Sequence, residues 1–200
     1  MMNFDLINGI SDWDSTEELQ SKTYKCGYCG EKIATNNGYK CSDMRSNITG
    51  SIYICHYCNK PTFFDQDDNQ TPGILYGDEV EHLSSEVKEL YNEARNCFSV
   101  NAFTSSILCC RKLLMNCAVD QGAEEGKQFV YYINFLEENH YTPKNINSCI
   151  DKIRTLGNEG THKIESRTKE EAELAIDFTA LVLQMIYEAP GKLRCKFNEN

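Results

Sequence analysis

The sequence predicts a mostly α-helical protein: a small N-terminal module of short β-strands with two cysteine pairs, followed by a five-helix bundle. Three observations predict it. Cys26-Gly27-Tyr28-Cys29 and Cys55-His56-Tyr57-Cys58 repeat one tight spacing inside a weakly alternating stretch punctuated by Gly27, Gly30, Gly38 and Gly50. From Asp78 onward the apolar residues recur every three or four positions, the period of helices. Thr168 with Glu171 three residues later forms a capping box, in which each side chain satisfies a free backbone N–H at a helix start.

The elements follow in order. Residues 1–22 are polar and acidic, with at most a short helix around Ser15 to Gln20. Residues 23–64 form the cysteine module, with short strands near Gly38 to Lys40 and Ser51 to Ile54. Residues 65–78 are an acidic linker by composition. Its start resembles a calcium loop, with Asp65, Asp67 and Asn69 at alternate positions. Gln70 stands where such a loop needs glycine and Tyr76 where it needs a bidentate Glu, which excludes that reading.

The helical domain spans 79–192. Helix one carries the stripe Leu83, Val87, Leu90, Tyr91, Ala94 and Phe98. Helix two carries Phe103, Ile107, Cys110, Leu114 and Cys117, and ends at Gln121-Gly122. Helix three runs through Phe129, Tyr132, Ile133 and Leu136, and helix four through Ile146, Cys149, Ile150 and Ile153. Helix five, from Thr168 to Ile186, is apolar around so much of its circumference that it belongs at the centre. Pro190-Gly191 is expected to end it, leaving 193–200 as a frayed tail. No internal repeat is visible.

Composition narrows the classes. A hydrophobic fraction of 40% and a charged fraction of 25% describe a folded chain. No apolar run reaches the ~20 residues that span a bilayer, and Met1-Met2-Asn3-Phe4-Asp5 does not begin like a secretion signal, so a cytoplasmic location without membrane contact is expected. The net charge of −10 is shared by both halves, which argues against avid non-specific DNA binding. Eleven cysteines, an odd number, suit a reducing compartment. Four form the pairs; most of the others, Cys109-Cys110 among them, fall at apolar helix positions as small hydrophobes.

The pairs carry the firmest chemistry. A two-residue gap folds the backbone so that both thiolates point at one ion while local amides donate to the sulfurs. Gly30 and Asn59, just after each pair, can take the backbone angles the turn needs. Cys26, Cys29, Cys55 and Cys58, with 25 residues between the pairs, therefore predict one structural zinc ion in a closed tetrahedral shell, a zinc ribbon. Cys41 is a spare candidate, and His56, between two ligands, should point outward.

Arg154, Asn158 and His162 are each four residues apart and would stack along one helix edge if the helix runs through Gly157. In that arrangement His162 could move a proton, Arg154 stabilise charge and Asn158 orient a substrate. The alternative is a solvated polar edge, with His162 near a helix C-terminus.

Several stretches resemble the bacterial domain-of-unknown-function family 4145 (DUF4145) over about residues 80 to 192. They are Leu90-Tyr91-Asn92-Glu93-Ala94-Arg95, Arg111-Lys112-Leu113-Leu114, Ile153 through His162, and Tyr187-Glu188-Ala189-Pro190. The resemblance implies an N-terminal zinc ribbon in many members, recurrence in restriction and other prokaryotic defence settings, and similarity to the HEPN superfamily of helical domains, many of them dimeric, metal-independent ribonucleases. Asn158 and His162 keep the HEPN spacing, whereas Gly157 occupies its arginine position, so Arg154 one turn earlier would substitute. Met115 stands where the family usually places Glu.

The preferred expectation is a binding or regulatory module in a defence or restriction-linked system, with a protein or RNA partner and a homodimer through the helical domain. A HEPN-type endoribonuclease using Arg154, Asn158 and His162 across a dimer is the first alternative. A zinc-ribbon transcription accessory is the second.

Overall fold

The computed structural model describes residues 13–159 and 166–197, and the chain divides into two compact units at Ile74/Leu75, inside the stretch read as a linker. The first unit is a five-stranded antiparallel meander: β1 (Glu17–Lys25), β2 (Lys32–Ser42), β3 (Ile48–Ile54), β4 (Pro61–Asp65) and β5 (Gln70–Thr71), hydrogen-bonded in that order. The outer strands approach each other: the Gln70 side-chain amide donates to the Lys25 carbonyl at 2.9 Å, and Lys22 pairs with Asp68. The core is small. Phe64 packs edge to face on both Tyr24 and Tyr53, and Ile33, Cys26 and Cys55 are the other buried members.

Three expectations change here. The Ser15 to Gln20 segment forms a turn at Ser15 and enters β1 at Glu17 instead of a helix, because Leu19 and Tyr24 face the small core and the strand pairs with β2. The sheet also runs past residue 64. Asp65 is held by its neighbours, its carboxylate accepting from the amides of Asp67 (2.9 Å) and Asn69 (2.8 Å) and from the Asn69 side chain (2.9 Å). The acidic stretch is therefore a tight Asx-type turn into β5.

The unit is also internally duplicated, which the sequence reading missed. Asp43 makes the same bonds to Arg45 and Asn47 as Asp65 makes to Asp67 and Asn69, and Ser46 and Asp68 share φ values of 65° and 66°. The chain twice runs strand, cysteine turn, strand, Asp-x-x-x-Asn turn. The second copy's strand is short, β4 having 5 residues against 11 in β2, so the two turns do not recur at one interval and the repeat escapes a fixed-period reading.

The second unit is helical: α1 (Ser85–Ser99), α2 (Phe103–Asp120), α3 (Phe129–Glu138), α4 (Asn147–Glu159), α5 (Lys169–Leu183) and α6 (Ala189–Phe197). α2 and α5 pack together and each also touches α1 and α4, with Leu113, Leu114, Cys117, Ile176, Val182 and Leu183 fully buried. The capping box is present: the Glu171 amide donates to Thr168 Oγ1 at 3.3 Å, and the Thr168 amide to the Glu171 carboxylate at 3.0 Å. Pro190 does not end the last helix. A π-helical turn, Gln184–Glu188, joins α5 to α6 without a break, so the five expected rods are present and the last is longer. In that turn the Ala189 amide reaches back to the Gln184 carbonyl. The shifted register accommodates a residue that lacks an N–H.

Candidate metal centre

Each cysteine pair sits on a hairpin turn whose backbone is specified locally. In the first, between β1 and β2, the Cys26 amide donates to the Glu31 carbonyl (2.9 Å) and the Gly30 amide to the Cys26 carbonyl (2.9 Å). In the second, between β3 and β4, the Cys55 amide donates to Lys60 (3.0 Å) and the Asn59 amide to Cys55 (2.7 Å). Gly30 and Asn59 take the left-handed conformation at φ 75° and 54°, as the sequence reading required. Gly27 is needed for space, since a Cβ there would lie 2.4 Å from the Gly73 carbonyl oxygen and 2.5 Å from that of Pro72.

The two turns bring the Sγ atoms of Cys26, Cys29, Cys55 and Cys58 within 4.8 Å of one another. Cys26 Sγ lies 3.7 Å from Cys58 Sγ, and Cys29 Sγ 3.8 Å from Cys55 Sγ. A tetrahedron with metal–sulfur bonds of about 2.3 Å has sulfur–sulfur edges of about 3.8 Å. The four residues thus fit a metal ion bound by four sulfurs. The Tyr28 amide donates to Cys26 Sγ at 3.4 Å, a contact that supports a thiolate. Burial raises the Cys26 thiol, but amide donors from Cys29 and Tyr28 outweigh it and hold the group below its ordinary value. Burial keeps Cys29 and Cys58 above theirs. A dication bound there would supply the charge that lets all four ionise together.

The surroundings close the site. Cys26 and Cys55 are 1% and 0% exposed. Trp13 Nε1 donates to the Asn59 carbonyl at 3.0 Å, and its ring packs edge to face on Tyr39. The sequence reading assigned Trp13 no role, although it is the chain's single tryptophan. His56 and Cys41 are exposed and outside the sulfur cluster. Tyr28 and Tyr57, equivalent in the two turns, are exposed at 40% and 70%.

The polar trio is only partly visible. α4 does run through Gly157 and Asn158 to Glu159, while His162 and the Asn158 side chain lie outside what is described. Arg154 is held through all three of its guanidinium nitrogens. Its Nε donates to Asn134 Oδ1 (3.0 Å), Nη1 to Asp151 Oδ1 (2.7 Å) and Nη2 to Glu137 Oε2 (2.5 Å). Cys110 is buried and its thiol is pushed up to about 12 by that burial, while half-buried Cys109 is pushed up to about 11 by the same cause. Neither is an activated nucleophile.

The fold and site define a two-unit protein, a β-meander with a four-cysteine cluster that could hold a metal ion and a helical bundle. Residues 92–200, more than half of the chain, match the domain of unknown function DUF4145, and the chain belongs to that family. No curated protein and no solved structure matches it. Among the described residues no helix is long and apolar enough to cross a membrane.

Proposed function

We propose that the chain is a zinc-stabilised binding or regulatory module, without catalysis of its own, that works in the cytoplasm within a prokaryotic defence or restriction-linked system. The bound ion in this reading is one structural zinc on Cys26, Cys29, Cys55 and Cys58. Four sulfur ligands leave it no open position for a substrate.

The observation that carries the non-catalytic reading is the state of Arg154. An arginine that is to stabilise a developing phosphate charge needs free donors aimed at that phosphate. Each of the three Arg154 guanidinium nitrogens instead donates to a side chain of α3 or α4, and two of those partners, Glu137 and Asp151, are carboxylates that already pair with its charge. Self-association through the helical domain is part of the proposal, supported by Leu181 at the end of α5 and Met185 in the π-helical turn after it, four residues apart and both partly exposed. The partner is a protein or an RNA.

The test is induced bacterial expression of wild type and His162→Ala, reading growth and the integrity of total RNA. Intact RNA in both fits a binding module, and affinity capture then identifies the partner. Fragmented RNA with the wild type alone overturns the proposal in favour of the HEPN-type ribonuclease, for which the Asn158 and His162 spacing speaks. A protein recovered on promoter complexes would instead favour a transcription accessory.

A further inference from the structure

On the helical unit a cavity of about 350 Å³ opens between the Glu79 to Leu83 segment and α1. That volume falls in the range of about 300–1,000 Å³ typical of small-molecule sites. Depth sorts its lining. Arg95 (6% exposed) and Tyr91 are buried and Asn92 is half-buried, while Glu79, Glu81, His82 and Lys88 are exposed at the rim.

Among the described residues Arg95 has only neutral partners. Its Nε donates to the Tyr76 carbonyl at 2.8 Å and its Nη2 to the Gly77 carbonyl at 2.9 Å, and its guanidinium lies 5.6 Å from the centre of the Tyr91 ring. Among the described residues no carboxylate pairs with it. Asp177 accepts from the Tyr76 hydroxyl at 2.9 Å, and Glu81 pairs with Lys192 at 3.3 Å. A guanidinium carries five N–H donors, so three remain beyond the two placed on carbonyls. A buried charge with no counter-charge is costly, and an anion is the natural compensation.

We propose that this cavity binds a small molecule through an oxyanion head, a phosphate or a carboxylate, seated on Arg95. Asn92 and Lys88 supply further donors along the wall. Glu79 and Glu81 at the rim oppose a long polyanion. They favour a ligand whose other end is neutral or cationic, such as a nucleotide monoester or an amino acid. Arg95 holds the phase of the apolar stripe, four residues after Tyr91 and three before Phe98. That placement is the sequence signal that marks it.

The test is titration calorimetry and thermal shift on the full chain with three probes: inorganic phosphate, adenosine monophosphate and glutamate. Wild type is expected to bind at least one saturably at millimolar concentration or below. Binding of the two phosphate probes alone assigns a phosphoryl head, and binding of glutamate alone a carboxylate head; either supports the proposal. Lys88→Glu reverses a charge on the exposed rim without touching the core and is expected to weaken binding about tenfold or more. Asn92→Ala should weaken it severalfold, and Arg95→Met should abolish it. Arg95→Met also frees two backbone carbonyls, so its helical circular dichroism is checked, and Lys88→Glu decides if that variant fails to fold. A wild type that binds none of the three probes overturns the proposal. Affinities unchanged by both Lys88→Glu and Asn92→Ala also overturn it, leaving Arg95 as a clamp on Tyr76 and Gly77.

Discussion

Removing the metal ion is expected to unfold the sheet of residues 17–71 and leave the helical unit standing. The magnitude follows from what else holds the sheet. Of its six core side chains two are the ligands Cys26 and Cys55, which leaves Tyr24, Ile33, Tyr53 and Phe64. At about 1.5–3 kcal/mol for each buried side chain, those four contribute roughly 6–12 kcal/mol of gross burial. A structural zinc ion contributes about 10–16 kcal/mol in small modules of this kind, as much as the rest of the core together. The helical unit has its own core across all its long helices and no part in the sulfur cluster. Trp13, bonded to Asn59 beside Cys58, is a built-in reporter. On titration with a strong chelator its emission should shift to the red as released metal is counted, one equivalent per chain, while most helical circular dichroism persists. Cys55→Ser should purify without metal and show the shifted emission from the start. An unchanged tryptophan spectrum in metal-free protein, or metal retained stoichiometrically by Cys55→Ser, would refute the reasoning.

Gly27→Ala forces a Cβ against the carbonyl oxygens of Gly73 and Pro72, so its metal should pass to a colorimetric chelator several-fold faster than that of wild type, whereas Gly122→Ala, which strains a residue at φ 100° in the helical unit and outside the sulfur cluster, should leave the rate unchanged. Burial pushes the Tyr24 and Tyr76 hydroxyls up to about 12 from an ordinary value of 10.0. Raised folded values mean that their stabilising contribution is complete below pH 10 and is lost as pH climbs toward 12. Absorbance of tyrosinate should therefore show a late alkaline phase that coincides with unfolding; a single early phase for all tyrosines would contradict this. Arg154→Ala strands Glu137 and Asn134 at a partly exposed site and should cost about 1–2 kcal/mol, a drop of a few degrees in Tm by calorimetry. An unchanged Tm would show that the network on α3 and α4 carries no stability.

The parts of the fold legible in the sequence were those set by local chemistry. The Cys-x-x-Cys spacing placed four ligands, and the turn residues Gly30 and Asn59 showed their conformation in advance, because both depend on a few adjacent residues. Stripes such as Val87, Tyr91, Ala94 and Phe98 located the helices, since a helix buries one face at a fixed period. What escaped depended on distant partners or on altered hydrogen-bond register. β1 is a strand because β2 lies beside it, and its own polar sequence carries only a weak alternation. Asp65 to Asn69 has the composition of a linker, and only the bonds from Asn69 back to Asp65 make it a turn. Pro190 reads as a stop signal wherever the helix keeps its ordinary register, which the π-helical turn changes. Arg154 was legible as a charged residue on a helix edge. Its commitment to Glu137 and Asn134 required the packing of α3 on α4.

The duplication shows how one ion would hold this unit together. A single hairpin with a cysteine turn buries almost nothing, and two strands alone are marginal in water. Joining two copies side by side brings Tyr24 and Ile33 from the first copy onto Tyr53 and Phe64 from the second, still a core too small to close the turn end of the sheet. Each turn offers two sulfurs, and one ion completes its shell only when both copies are in place. An ion bound by all four sulfurs would therefore be the contact between the copies at that end. The same arrangement fixes what the site can do. The four sulfurs lie close enough together to share one ion, while Tyr28 and Tyr57, their equivalent neighbours, are exposed. A closed shell with aromatic residues on its outer side has no place for a reacting substrate. It leaves the outer surface of the unit as the part able to meet a partner.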